Sequence, residues 1–207
     1  MPSNAWVRLR YSLWAPHYDK VTRFPAERQR SLALLDLQPG ERLLIVGCGT
    51  GADLPFVPAG VGVLATDLTP AMLQQARAHA RPEIEYRLMD GMALDLPDGK
   101  AGSGPGDGFD AALLHMVLEV IPDPARCLAE VARVLRPGGR LAVFDKFLAE
   151  SARPGALRRA GLALLDFVFT STNRRMGEIL AASGAPLVVE TDERAVASYR
   201  HLILRRV

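Results

Sequence analysis

Hydrophobic and polar positions change rhythm along the chain, and the changes predict its elements. The first 40 residues read as helices. "NAWVRLRYSLWAPHYD" mixes aromatic with basic residues and breaks at Pro16, and "PAERQRSLALLDL" (25–37) opens on a proline suited to a first helical turn. Short apolar runs then alternate with helical segments. "RLLIV" (42–46), "VGVLAT" (61–66), "IEYRLM" (84–89), "FDAALLH" (109–115) and "RLAVFD" (140–145) read as strands. Between them, "TPAMLQQARAHA" (69–80) reads as a helix with Thr69 as N-cap and Pro70 in the first position, and "PARCLAEVARVL" (124–135) as a helix stopped by "RPGG". Strands separated by helices mean βαβ units and a parallel sheet.

The end of the chain departs from this rhythm. After a predicted helix at 173–183, "PLVVET" (186–191) and "YRHLILRR" (199–206) are only seven residues apart. A parallel crossover needs more chain than that, so the two should pair as an antiparallel hairpin. The expected fold is therefore α/β: a doubly wound seven-stranded sheet, mostly parallel, with a C-terminal antiparallel hairpin. We expect a single domain over 1–207, with a helical cap (1–40), a core (41–146), a helical lid region (147–183) and the terminal hairpin (184–207). The segment "DGKAGSGPGDG" (98–108) lacks apolar anchors and reads as a mobile surface loop.

Composition narrows the function classes. The 207 residues suffice for one α/β domain and fall short of two, and 49% hydrophobic residues can bury a core. A net charge of +2 argues against a dedicated nucleic-acid binder. Cys48 and Cys127 have no CxxC partner, so free thiols in a reducing cytosol and no metal site are expected. Residues 2–19 carry Arg8 and Arg10 and no continuous apolar stretch, unlike a secretory leader. "AGLALLDFVF" (160–169) is too short to span a bilayer. A cytoplasmic location is expected.

The stretch "LLIVGCGTGADLP" (43–55) carries the candidate chemistry. Gly47, Gly49 and Gly51 follow a buried strand at the sheet end where ligands of doubly wound folds bind. Glycine there permits unusual dihedrals and close backbone approach; the alternative is a tight turn with nothing bound. Asp67 closes the second strand and can accept from both hydroxyls of a ribose. Asp90, in "MDGMA" (89–93), can accept from an adenine amino group, with the Gly91 or Met92 amide donating to a ring nitrogen. Either acid by itself reads equally as a solvated strand end; together with the glycines they favour a nucleoside site. A dinucleotide fits less well. The glycine spacing is one residue short of Gly-x-Gly-x-x-Gly, and Pro55 and Pro58 interrupt the helix that would face a pyrophosphate.

"LLIVGCGTGADLP", "GVLATDLTPAMLQQAR", "YRLMDGMALDLPDG" and "FDAALLHMVLEVIPDPARCLAEVARVLRPGGRLAVFD" resemble the successive motifs of class I S-adenosylmethionine-dependent methyltransferases, in register from about Tyr18 to Asp145. Within that superfamily the chain is similar to the group holding ubiquinone/menaquinone and phosphatidylethanolamine methyltransferases, whose members often carry "YD", as at Tyr18-Asp19. The resemblance implies a Rossmann-like sheet and S-adenosyl-L-methionine as cofactor. It sets the methionine end against Gly47, Cys48, Gly49 and Gly51, the ribose on Asp67, and the adenine beside Leu68 and Met92 with its amino group on Asp90. His115 and Met116 would lie near the transferred methyl, and Tyr18 would close over the cofactor. The loop 98–108 is longer than the family pattern.

Methyl transfer from a sulfonium is an in-line displacement in which alignment and exclusion of water are the protein's task. His115 is the candidate base, at a strand's carboxyl end; the alternative is that it only packs or orients. His17 has a similar claim, while His79 and His201 read as structural. Asp145 and Lys146 could line the acceptor side or be a solvated strand end. Residues 1–24 and 147–175 combine Arg with large apolar side chains, Trp6, Trp14, Phe167 and Phe169 among them. That mixture suits an interfacial helix with peripheral membrane contact, or a lid over a small-molecule, lipid-like or quinone-like acceptor, or plain packing on the core. A non-catalytic S-adenosylmethionine-binding protein and a nicotinamide oxidoreductase are the competing classes. The acceptor atom, the pathway and the oligomeric state are not written in these residues.

Overall fold

A computed structural model describes residues 4–14, 24–100, 107–148 and 174–207. The expectations on His17, Tyr18, the interior of the 98–108 loop and most of 147–175 lie outside these residues. The order of elements is α1 (Asn4–Trp14), α2 (Pro25–Leu35), β1 (Arg42–Val46), a 3-10 turn (Leu54–Phe56), β2 (Gly62–Asp67), α3 (Pro70–Ala76), β3 (Ile84–Leu88), β4 (Phe109–His115), α4 (Pro124–Val134), β5 (Leu135–Lys146), α5 (Met176–Ser183), β6 (Leu187–Arg194) and β7 (Tyr199–Arg206).

The sheet runs β3-β2-β1-β4-β5-β7-β6. β1 to β5 are parallel, and β7 runs antiparallel to both β5 and β6. The strand order reverses between β1 and β4, which opens a crevice beyond their carboxyl ends. Alternation along the central strands splits the core into two layers. Leu44 and Val46 of β1 and Ala112 and Leu114 of β4 join one with Leu128 and Val131 of α4 and Ile179 of α5. Leu43, Ile45, Ala111 and Leu113 join the other with Leu32 and Leu35 of α2 and Leu73 of α3. The central strands are buried on both faces, which is why they read as unbroken apolar runs. The outer strands β3 and β6 are mostly exposed and polar, which blunts the sheet edges.

Three boundaries differ from the sequence reading. The predicted 69–80 helix is α-helical only over Pro70–Ala76 and finishes as a 3-10 turn, Arg77–His79. Thr69 stands at its N-cap, yet its side chain makes no cap bond. The "RPGG" stop lies inside β5: Leu135 pairs with Phe109, and the next pair is Arg140 with Ala111. Arg136 to Gly139 thus bulge out of a strand that has already begun, with Gly138 at φ 78°.

An aromatic layer braces β5 and β7 against Phe24 and His115. Phe144 of β5 is fully buried and stacks at 4.9 Å on both Tyr199 and His201 of β7. It meets Phe24 and His115 edge-on at 5.8 and 5.7 Å. Phe144→Ala is expected to lower the unfolding free energy by about 3–5 kcal/mol in urea denaturation. A loss under about 1 kcal/mol would mean the layer is only incidental packing.

Candidate functional site

A cleft opens beyond the carboxyl ends of β1, β2, β3 and β4, and one face of α1 closes its side. The glycines after β1 serve two different purposes there. Gly47, at φ 68°, is on the cleft wall, and a Cβ on it would sit 2.7 Å from Val117 Cγ2, also on the wall. Gly51, at φ 84°, lies off the wall; a Cβ there would come within 3.0 Å of Ala76 Cα and Leu54 Cδ1. Gly47 keeps the cleft open, and Gly51 lets the turn pack on α3.

Asp67, at the end of β2, is buried and clamped by backbone donors. Gly49 N donates to Oδ2 at 2.9 Å and Thr69 N to Oδ1 at 2.8 Å. Burial pushes its pKa upward, and these bonds from Thr69 and Gly49 pull against the rise. Asp90 Oδ1 accepts from Met92 N at 2.9 Å, and Oδ2 from Asn4 Nδ2 at 2.6 Å. The Met92 amide is therefore committed to Asp90 and not open to a ring nitrogen. The Gly91 backbone remains on the wall, where an added Cβ would strike Val46 Cγ1 at 2.7 Å.

Of the residues singled out in the sequence, the cleft brings together Gly47, Gly49, Asp67, Leu68, Asp90, Gly91, His115 and Met116. Cys48 is instead part of the buried core, where burial, then Asp67 and Asp53, drive its thiol pKa upward. Met92 packs beside the α4 layer, with its sulfur accepting from Asp123 N at 3.4 Å.

His115 sits in a buried chain of polar groups drawn together from distant parts of the chain. Nδ1 is 2.7 Å from Asp53 Oδ1, Nε2 is 2.8 Å from Ser31 Oγ, and Arg28 Nη1 is 2.7 Å from Asp53 Oδ2. The neutral tautomer carrying the proton on Nδ1 satisfies every bond: it donates to Asp53 and accepts from the Ser31 hydroxyl. Neither nitrogen is open to an acceptor's proton in this arrangement. The next residue, Met116, is buried on the cleft wall with φ 60°, a left-handed conformation that costs a non-glycine residue about 1–3 kcal/mol.

Beyond the cleft's far end lies a second charged group. Asp145 is fully buried, not a solvated strand end, and accepts from Glu119 N at 3.1 Å and Lys146 N at 2.8 Å. Lys146 Nζ lies 3.2 Å from Glu119 Oε2 and 5.0 Å over the Tyr199 ring. Burial raises both carboxyl pKa values, and Glu119 raises that of Asp145 further. Tyr11, on the cleft wall, has its phenol pushed up to about 12, by burial first. His79 is exposed, and His201 is held by Glu27 at 2.7 Å. Among the described residues no three metal-ligating side chains cluster.

Residues 44–143 match the family described as a methyltransferase domain. The chain is 32% identical over 158 residues to a phosphatidylethanolamine N-methyltransferase of Cereibacter sphaeroides, 72% of each chain. It is 38% identical over 151 residues to a demethylmenaquinone methyltransferase of Tropheryma whipplei, 69% of this chain and 59% of that relative's length. The chain belongs to the class I S-adenosylmethionine-dependent methyltransferases, and its cofactor is S-adenosylmethionine. In fold it is similar to the crystal structure of the [4+2]-cyclase SpnF, with a TM-score of 0.77 at 17% identity, over 99% of this chain and 96% of that one.

The buried chain around His115 carries a pH signature. Burial first lowers the His115 pKa below its ordinary 6.5, against the pull of Asp53. Burial would raise Asp53, yet His115 and Arg28 together hold it below its ordinary 3.8. In both cases the unfolded chain binds more protons as pH falls through the ordinary value, so native stability is complete above it and lost below. The stability gap between wild type and His115→Asn is expected to be largest above pH 6.5 and to shrink as pH falls toward Asp53's range. Urea unfolding of both proteins between about pH 8 and pH 4 measures it. A gap independent of pH would reject this assignment.

Proposed function

We propose that the chain transfers the methyl group of S-adenosylmethionine to an apolar acceptor of lipid or quinone type, with α1 closing the acceptor side of the cleft. One observation carries the acceptor half. α1 turns Asn4, Val7 and Tyr11 to the cleft, and on its other side leaves Trp6, Leu9 and Leu13 at 37, 54 and 70% exposure. Such a helix can cover a site with one face and meet an apolar acceptor or membrane surface with the other. Relatives named for phosphatidylethanolamine and for demethylmenaquinone support the same chemistry. No described helix is long and apolar enough to cross a membrane, so the contact we propose is peripheral.

The wall residues fit the cofactor. Gly47 and Gly91 bring bare backbone to the cleft wall, where a Cβ would clash with Val117 and Val46 packed against them. Asp67, fixed by two amides, keeps lone pairs for two hydroxyl donors, and Asp90 keeps lone pairs for an amino donor. After the glycine turn the chain forms only the three-residue 3-10 turn Leu54–Phe56, with no helix N-terminus for a pyrophosphate. When bound, S-adenosylmethionine supplies a methyl group on a sulfonium whose leaving group is a neutral thioether. The chain's own share is alignment and the exclusion of water, and alignment alone can be worth on the order of 7–11 kcal/mol. In this reading His115 is a positioning residue. Tied to Ser31 and Asp53, it fixes the end of β4 and with it the strained Met116 and Val117 that narrow the cleft. The cap, core, lid region and hairpin then divide the work, with the core holding the cofactor and the cap covering the acceptor.

Two measurements test the proposal. Asp67→Ala should weaken S-adenosylhomocysteine about tenfold or more in calorimetry, since a bond to a charged acceptor is worth roughly 1.5–3 kcal/mol. An unchanged dissociation constant would reject the ribose assignment. Radiolabelled methyl transfer should reach phosphatidylethanolamine vesicles or a demethylated quinol, and deleting residues 1–14 should cut this turnover far more than cofactor affinity. A protein that binds S-adenosylhomocysteine but labels neither acceptor would overturn the apolar-acceptor reading.

A further inference from the structure

The contact between Asn4 and Asp90 joins the first residue of α1 to the end of β3, 86 positions away. The orientation of the Asn4 amide is fixed by this bond, because the reverse would set its oxygen against a carboxylate oxygen. With Nδ2 on Asp90, the Asn4 oxygen Oδ1 is buried at the cleft and has no hydrogen-bond partner among the described residues. A buried acceptor left without a donor costs about 1–3 kcal/mol, so this atom is built to meet a donor that arrives with a ligand. Val7 stands one turn along α1, and Val46, Met89 and Ile121 belong to the same lining.

From this geometry we infer that Asn4 is a second recognition residue for the 6-amino group of the cofactor's adenine, and that it latches α1 over the cleft when the cofactor is in place. The inference rests on the assignment of Asp90 to that amino group. An exocyclic amino group offers two N–H donors, and the structure provides two acceptors side by side, Asp90 Oδ2 and Asn4 Oδ1. One donor goes to each. A 6-oxo purine has no donor at that position and would face two acceptor oxygens, so the pair discriminates between the two bases. Asn4 differs from Asp90 in one respect that matters: it rides on α1. Filling its vacant acceptor ties the helix to the ligand, so cofactor binding and closure of the acceptor side become one event. Val7 and Tyr11 follow Asn4 on the same face and would be pressed onto the cleft together.

The test uses the full chain and two ligands, S-adenosylhomocysteine and S-inosylhomocysteine. The chain's two tryptophans, Trp6 and Trp14, both lie in α1, so intrinsic emission reports that helix. Asn4→Ala is expected to weaken S-adenosylhomocysteine about three- to tenfold, the worth of one hydrogen bond, and to reduce the preference over S-inosylhomocysteine by a similar factor. The change in tryptophan emission on adding S-adenosylhomocysteine should be present in wild type and diminished in Asn4→Ala at saturating ligand. Asn4→Asp, which sets a second carboxylate beside Asp90, should weaken binding further and give the apo protein's emission without ligand response. Asp90→Asn is measured alongside. If Asp90→Asn loses the base preference while Asn4→Ala keeps wild-type affinity, preference and emission change, the Asn4 inference fails and the Asp90 assignment stands. If Asp90→Asn also behaves as wild type, adenine is not held at this end of the cleft and both fail.

Discussion

The structure turns on one buried chain of polar groups, Ser31 to His115 to Asp53 to Arg28. It gathers α2, the turn after β1 and the end of β4, three elements with no local reason to meet. An ion pair as buried as Arg28 and Asp53, whose side chains are 5% and 4% exposed, is tolerable only when its remaining valences are met. His115 meets one on Asp53, and Ser31 completes His115. Removing any member leaves a desolvated donor, acceptor or charge behind. The reward for this arrangement lies next door: the backbone of Met116 is held left-handed, and Val117 is brought within reach of Gly47 to shape the cleft.

The same economy governs the strand ends. Asp67 and Asp90 face the cleft as acceptors that are already oriented, each held by a nearby backbone amide and by one distant group, Gly49 in one case and Asn4 in the other. Fixed acceptors lose little freedom when a ligand's hydroxyl or amino donors arrive, which is where small binding sites gain their selectivity. The distant partner differs in kind. Gly49 belongs to the rigid core, whereas Asn4 belongs to a helix that only partly packs on it. One end of the site is thus rigid by construction, and the other is tied to the covering helix.

Much of this was legible in the chain. The strands could be read because buried parallel strands are continuous apolar runs, and the terminal hairpin because seven residues cannot make a parallel crossover. The glycine turn and the two strand-end acids could be placed at one end of the sheet because the strands before them could be read, and only their combination favoured a nucleoside site over solvated strand ends. Errors fell where local signals compete with long-range pairing. "RPGG" is a strong stop by itself, yet strand pairing with β4 had already begun at Leu135, and the ladder absorbed these four residues as a bulge before resuming at Arg140. Thr69 looks like a helix cap, but its amide serves Asp67 instead. For His115 the sequence left two readings, a base or a residue that packs and orients; the contacts of Ser31 and Asp53 with its two nitrogens come from tertiary structure.

The sequence by itself determined the order and type of the elements, the sheet's polarity and the identity of the acids at the strand ends, since each follows from periodicity, side-chain volume or backbone freedom within a few residues. Tertiary structure alone decided which glycines touch the cleft, which amides are already spent, that Asn4 lines the cleft and that Ser31 reaches His115. Those outcomes depend on pairs 62 to 86 residues apart, His115 with Asp53 and Ser31, and Asn4 with Asp90. No local pattern encodes such a meeting: it is fixed by how the sheet twists and where the helices settle on it.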